Sequence, residues 1–400
     1  MTDAAPHSSI DAGRTTQFPS ERDRLKSLAA VVVAAFGIGM SFGVGFPLTA
    51  LTLEMWHTPY WLIGIAGTAP SLAVLLALPF MPSVVARWGL ARAIITGCLT
   101  GALGFVALAV FRDAYAWIAI RFLMSLGLAL PWLAGETWIN LVTREETRGR
   151  VIALYAISFF LGYSAGPLVL ELVGLEGIWP CVAGATSMAL AGLPILLAAR
   201  LAPSVTDEGH STNVLAALAL APAGMIGGFI GGFSEMSYFS LLGNVSLAGG
   251  RDQGEALRLM SAMTMGGVAL QFLIGWLADK ASRARITIAL GAAFIALSLA
   301  LPFVITRGDL AYAHVFVLGG VILGFYTIGL VIVGQVAPRD LAAANAAFLI
   351  MYNLGAIVGP AAAGMAMSVS PISGFVTVMA GTMVLAILVL VMATRRAAVR

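Results

Sequence analysis

About twelve stretches of twenty or more mostly apolar residues follow one another along this chain, separated by short polar turns. Few architectures accept that pattern. An α-helix needs about 20 apolar residues to cross the hydrocarbon core, and it satisfies its own backbone where no water is available. The pattern predicts an all-α membrane protein with twelve transmembrane helices, over 27–53, 60–81, 91–111, 115–140, 151–174, 178–200, 214–247, 256–278, 286–306, 310–336, 341–367 and 372–394. Only 10% of the 400 residues are charged, against about 25% in an average soluble domain.

An even number of crossings puts both termini on one side. With the N-terminus inside, 17 of the 22 Lys and Arg fall in cytoplasmic segments, 4 fall outside, and Arg121 lies within a span. Positive loops stay inside, so both termini are expected in the cytoplasm of a bacterial cell, with the chain multi-pass in the inner membrane. Residues 1–26 are polar and lack the basic start, short apolar core and cleavage site of a signal peptide. They read as a flexible cytoplasmic tail, and 395–400 as a basic one.

Residues 201–213, "LAPSVTDEGHSTN", form the one long polar linker inside the membrane region. They invite a test for duplication. "GYSAGP" from Gly162 and "GAIVGP" from Gly355 are 193 residues apart, and the same offset takes Gly89 to Ser282, Arg92 to Arg285 and Arg121 to His314. One register aligning separated features predicts two six-helix, pseudo-symmetric bundles, 27–200 and 214–394. That arrangement sets a substrate site between the halves near the midplane.

These residues resemble the major facilitator superfamily. "GWLADKASR", Gly275 to Arg283, is similar to its signature between the second and third helix of a half, with Ser282 in place of the second glycine. The first-half counterpart, "PSVVARWGL", keeps Arg87 and Gly89 but has Pro82 and Ala86 where glycine and aspartate are expected. Gly162, Gly166 and Pro167, with Gly355, Gly359 and Pro360, resemble the glycine-proline motif known from antiporters and read as hinge and packing positions. "GETWIN", "RGRVIALY" and "GGFSEMSYFSLL" resemble the YcaD-like branch. The resemblance implies a major facilitator fold working by alternating access, and it names no substrate. It also implies a cytoplasmic gate built from Asp279, Lys280, Arg283 and Arg87.

Ionisable groups inside the spans carry the functional argument, because a charge at the bilayer centre costs ~2.5–3.5 kcal/mol on insertion scales. Glu235 follows the glycine-rich "GMIGGFIGGF" and, by the resemblance, faces the central cavity. A carboxyl in an apolar site favours its neutral form, which suits it to take and release a proton; the bland alternative is a carboxylate satisfied by Ser234 or Tyr238. Arg121 resembles a span-4 arginine implicated in proton coupling, although it could equally snorkel outward or pair with Asp113. Glu136 lies roughly 22 Å along the helix from Arg121. It reads either as a second proton-coupling group or as a latch to Arg144, Arg148 or Arg150. Glu54 reads as an outer-interface residue with no special role.

The expected cavity has an aromatic and apolar wall, with Met40, Phe42, Trp132, Tyr155, Met236 and Tyr238. Its polar members are Gln271, Tyr326 and Asn353. Such a pocket suits a weakly polar or cationic organic molecule better than an anion that needs several Arg or Lys. The expectation is a proton-coupled secondary transporter, with efflux favoured, acting on a small molecule in the lipid bilayer, as a monomer and without a nucleic-acid partner. An importer of a nutrient, siderophore or metal complex is one alternative, prompted in part by Met260, Met263 and Met265, whose thioethers suit Cu(I). A receptor or scaffold that no longer cycles is another. Cys98 and Cys181 form no CxxC pair, and no HExxH or phosphate loop occurs. Neither an enzyme, nor a cofactor, nor a resident metal is expected, and energy is expected from a proton gradient.

Overall fold

The structure is a computed structural model, and it describes residues 20–204, 218, 221–280, 282–336 and 341–399. Among them are thirteen α-helices and no strand. They run α1 Glu21–Met55, α2 Tyr60–Ala77, α3 Met81–Trp88, α4 Leu90–Val110, α5 Ala114–Val142, α6 Arg148–Val173 and α7 Trp179–Leu197. The chain resumes with α8 Pro222–Ala248, α9 Gln253–Lys280, α10 Arg283–Val304, α11 Gly308–Val336, α12 Leu341–Val369 and α13 Pro371–Val399. Eleven helices are long and apolar enough to cross a bilayer. The two outside that set are α3, which has 8 residues, and α8, whose 27 residues are rich in glycine and serine.

Polar caps carry several helices past the apolar stretches that mark them in the sequence. Ser20 accepts the amide of Asp23, so α1 starts before the first apolar span. Asp113 accepts from the Ala116 amide at 2.8 Å and starts α5. Ser282 caps α10, whereas its repeat counterpart Gly89 leads into α4 at φ +78° with no side chain to offer. The second expected span, 60–81, ends early. Helix α2 stops at Ala77, where Pro79 removes a backbone donor, and a separate amphipathic helix, α3, buries Met81 and Val85. Much of the 201–213 linker, residues 1–19 of the N-terminal tail and Arg400 lie outside the described residues. The expected span 214–247 is seen as a helix from Pro222 onward, and α13 continues through 395–399.

The 193-residue offset recurs in the packing. A Cβ at Gly39 of α1 would run into the carbonyl oxygen of Phe159 on α6, and a Cβ at Gly232 of α8 would run into that of Tyr352 on α12. Gly162 meets the Phe36 oxygen as Gly355 meets the Phe229 oxygen. Small residues let two backbones touch, the common way to join helices in lipid. Gly166 against Gly43 and Gly359 against the Phe233 carbonyl continue these seams, whereas Pro360 faces Gly64 and Gly67 of α2.

Helices α1 to α7 pack with one another, as do α8 to α13. Contact between the sets runs through α2 with α12, α6 with α9, and α1 and α2 with α8. The polar contacts between the sets gather at the end of the bundle where α1 finishes, here the Trp56 end. Trp61 donates its amide to Ser368 at 3.0 Å. Arg258 of α9 faces Glu171 of α6 at 3.5 Å. Ser164 and Ser261, both buried, exchange hydrogen bonds with each other's carbonyl oxygens at 3.1 and 2.8 Å. Towards the opposite end, where Ser20 begins α1, the side chains of Trp132 and Glu136 are exposed.

Candidate functional site

Glu235 sits midway along α8 and is only 8% exposed. The serines around it are occupied elsewhere: Ser234 donates to the Ile230 carbonyl at 2.7 Å and Ser237 to that of Phe233 at 2.5 Å. Its neighbour is Tyr352 of α12, whose hydroxyl faces the carboxylate. The glycine seam at Gly232 brings the two helices close enough for that contact.

Glu136 differs in its access to solvent. Protein atoms surround it on most sides, yet solvent reaches the side chain, as expected on the wall of a crevice. Trp132, one turn earlier on α5, is 45% exposed while packing edge-on against Phe42 and Phe159, at 6.4 and 5.1 Å between ring centroids. Among the described residues no cation pairs with Glu136. Arg144 is held by Glu21 at 2.7 Å and Arg148 by Glu145 at 2.8 Å, so the latch is not made in this conformation.

Tyrosines connect the two carboxylates. Tyr326 of α11 lies within electrostatic reach of both Glu136 and Glu235, and its ring packs on Tyr352 at 5.4 Å. Tyr155 of α6 flanks Glu136, where Gly135 leaves room for its hydroxyl. Tyr163 of α6 interacts with Glu235 and with Arg121, and it stacks on Phe239 at 4.8 Å across the two sets. Polar groups therefore run from an accessible carboxylate, through tyrosine hydroxyls, to a buried carboxylate and then a buried guanidinium.

That arrangement, eleven membrane-length helices among the described residues in a duplicated register with paired glycine seams, has a counterpart among known proteins. The sequence profile of the Major Facilitator Superfamily matches residues 28–243 and again 224–400. The chain belongs to the major facilitator superfamily. It is 28% identical to the "Uncharacterized MFS-type transporter YcaD" of Salmonella enteritidis over 325 residues, 80% of this chain and 83% of that one. The namesake from Salmonella newport matches with the same identity and coverage. Solved structures with the same fold include the nucleoside transporter NupG, at a TM-score of 0.74 and 16% identity over 91% of this chain and 98% of that one. A bacterial homologue of the human lysosomal transporter Spinster, in an inward-facing and unoccupied conformation, aligns at 0.70 and 15% over 94% and 96%. As a major facilitator transporter, the chain is a non-enzymatic, multi-pass membrane protein that carries a small-molecule substrate.

Against this superfamily frame, the residues singled out in the sequence fall into three groups. Met40, Phe42, Tyr155, Met236 and Tyr326 are all partly accessible, in keeping with a cavity wall. Tyr238 requires a correction. It is fully buried on the far side of α8, edge-on to Phe294 and Phe375, with its hydroxyl 3.2 Å from Ser298. Three residues on from Glu235, it sits about 60° around the helix, enough for a long ring to turn into the neighbouring helices. Asn353 spends its amide on the Leu349 carbonyl of its own helix, and Gln271 bonds Thr327 within the same set. Lys280 rests over the Trp276 ring at 4.0 Å and Arg87 is exposed on α3, while the side chains of Asp279 and Arg283 lie outside the described residues.

Arg121 neither snorkels nor pairs with Asp113, which caps α5 instead. It is 2% exposed, with its guanidinium 5.3 Å from the Phe46 ring centroid. Sequence reasoning passed over three participants. Tyr352 and Tyr163 look like ordinary apolar-span tyrosines, although the repeat offset pairs Tyr352 with the aromatic Phe159 on the other seam. Glu54, read as an interface residue, accepts from Asn244 of α8 at 2.5 Å and from Tyr60 at 2.9 Å. It joins the two sets at the Trp56 end.

Proposed function

We propose that this chain is a proton-coupled secondary transporter that exports a small amphiphilic or cationic organic compound by alternating access. The observation that carries the reading is the pair of carboxylates, one accessible and one buried, that share Tyr326. An entering cation meets Glu136 first, against the rings of Trp132 and Phe159. Aromatic faces and a carboxylate both favour a cationic guest. Glu235 then exchanges a proton for the cation, since two unpaired positive charges would not share one buried carboxylate.

In this reading α8 is the twelfth crossing, the bundles are 27–200 and 214–394, and both termini are cytoplasmic in a bacterial inner membrane. The accessible Glu136 then faces the cytoplasm, ready to load an exported compound. Asp279, Lys280, Arg283 and Arg87 would close that end, while Gly162, Gly166, Pro167, Gly355, Gly359 and Pro360 keep each bundle rigid as it turns. A monomer suffices, because the path lies within one chain.

The test is thermal stabilisation of the purified protein against lipophilic cations, weak acids, sugars, siderophores and copper, at pH 6 and pH 8, beside Glu235→Gln. A cationic ligand that stabilises the wild type in a pH-dependent way, with that dependence lost in the variant, is the expected result. Selective stabilisation by a sugar, siderophore or copper would overturn the substrate class. A pH dependence that survives in Glu235→Gln would remove Glu235 from coupling.

A further inference from the structure

Arg121 is a cation with no counter-charge. Among the described residues it makes no ion pair and no hydrogen bond, and its Nε is buried without an acceptor. It lines a small cavity with room for about one water-sized guest. The cavity is walled by Phe46 and Thr49 of α1, Ile63 and Gly67 of α2, Arg121 of α5 and Ser240 of α8. Ser240 Oγ is also buried without a partner, as is the hydroxyl of Tyr163, which interacts with the guanidinium. The surrounding glycines keep the space open. A Cβ at Gly45 would meet Nη1 of Arg121 at 2.5 Å, and one at Gly67 would meet Ser240 Oγ at 2.7 Å.

The chemistry of this pocket is one-sided. It offers guanidinium and hydroxyl donors, and no carboxylate accepts from them. A water can accept only about two hydrogen bonds and brings no charge, so it leaves the cation uncompensated in a low-dielectric interior. A halide accepts from Arg121 and Ser240 together and neutralises the guanidinium. The space suits a single atom-sized guest and excludes an organic carboxylate.

We infer that Arg121 and Ser240 form a buried binding site for a chloride-sized anion. The site joins the two helix sets, since Arg121 belongs to the first and Ser240 to the second. A bound anion therefore holds the Trp56 end shut, and opening that end releases it. This inference is independent of the substrate reading above, which rests on Glu136 and Glu235.

The test is thermal melting of the purified full-length protein, without substrate, titrated with chloride against gluconate at constant ionic strength. A ligand that binds only the folded state raises the melting temperature saturably. Chloride and bromide should do so, gluconate and acetate should not, and Arg121→Gln should lose the response. Ser240→Ala should shift the half-saturating chloride concentration upward several-fold. Equal melting in chloride and gluconate, stabilisation by acetate instead of halide, or an unaltered chloride response in Arg121→Gln would each overturn the site. If Arg121→Gln fails to fold, Ser240→Ala decides: an unchanged midpoint overturns the proposal. Failure of this titration leaves the pH-dependent ligand response untouched, so the two readings are separable.

Discussion

Tyr352 of α12 brings its hydroxyl to the carboxylate of Glu235 on α8, just beyond the point where Gly232 lets those two helices meet backbone to backbone. The contact fixes the buried carboxylate within the second set of helices. The variable partner must then come from the path itself, a proton or a substrate cation.

Glu235→Gln is therefore expected to abolish uphill, pH-driven transport while leaving downhill exchange measurable. The readout is accumulation against counterflow in proteoliposomes, using a ligand found by thermal stabilisation. Uphill transport at the wild-type rate would mean that another group couples.

Tyr352→Phe should be milder, since it removes one hydroxyl and keeps the ring that packs on Tyr326. A hydrogen bond to a charged group contributes about 1.5–3 kcal/mol. The variant should fold and bind, with the efficiency of coupling reduced. Melting and the proton-to-substrate ratio, measured together, distinguish lost coupling from lost structure.

Much of the fold is legible in the sequence because hydropathy has a length scale that a bilayer imposes. The apolar spans around α4, α5, α9 and α12 lie within a few residues of the helices, and the glycine-proline repeat foretells which helices touch. What hydropathy lacks is azimuth. Successive residues turn about 100° around a helix, so an error of one position moves a side chain from the path to the packing. Asn353 drew attention for its polarity, whereas Tyr352 beside it reaches Glu235. Tyr238 was expected in the cavity and packs against Phe375 instead. Glu54 meets Asn244 from 190 residues away, a separation at which neither residue announces the other.

That Glu54–Asn244 contact supports a prediction about the closed end. Asn244 donates to Glu54 and also to the Ala50 carbonyl, the latter at 3.1 Å. In Asn244→Ala, loss of a bond worth about 1.5–3 kcal/mol shifts the population towards opening by about tenfold or more. Spin labels at Thr58→Cys and Gln253→Cys should report a longer distance component. Native Cys98 and Cys181 are buried, at 4% and 5% exposure, and should not take up label. An unaltered distance distribution would show that Glu54 does not hold this end.

The glycine seams can be tested by adding a methyl group. Gly232→Ala and Gly39→Ala each drive a Cβ into a carbonyl oxygen, and overpacking of this kind costs about 1–3 kcal/mol or more. Both should lower the melting temperature. Gly275→Ala on α9 meets nothing within 4 Å and should leave melting unchanged or raise it, because alanine is favoured over glycine in a helix by about 0.5–1 kcal/mol.

Ser164 and Ser261 show how differently the two kinds of junction answer to heat. Where backbones touch across glycine, there are almost no rotamers to release, so warming offers those junctions little entropy for coming apart. The serine pair and the Glu54 contact hang on side chains, which gain freedom as they let go. Warming the protein should therefore loosen these side-chain contacts between the sets first, ahead of the glycine contact that Gly64 of α2 makes with the Pro360 carbonyl of α12, with the spin-label distances broadening while the helical signal stays flat.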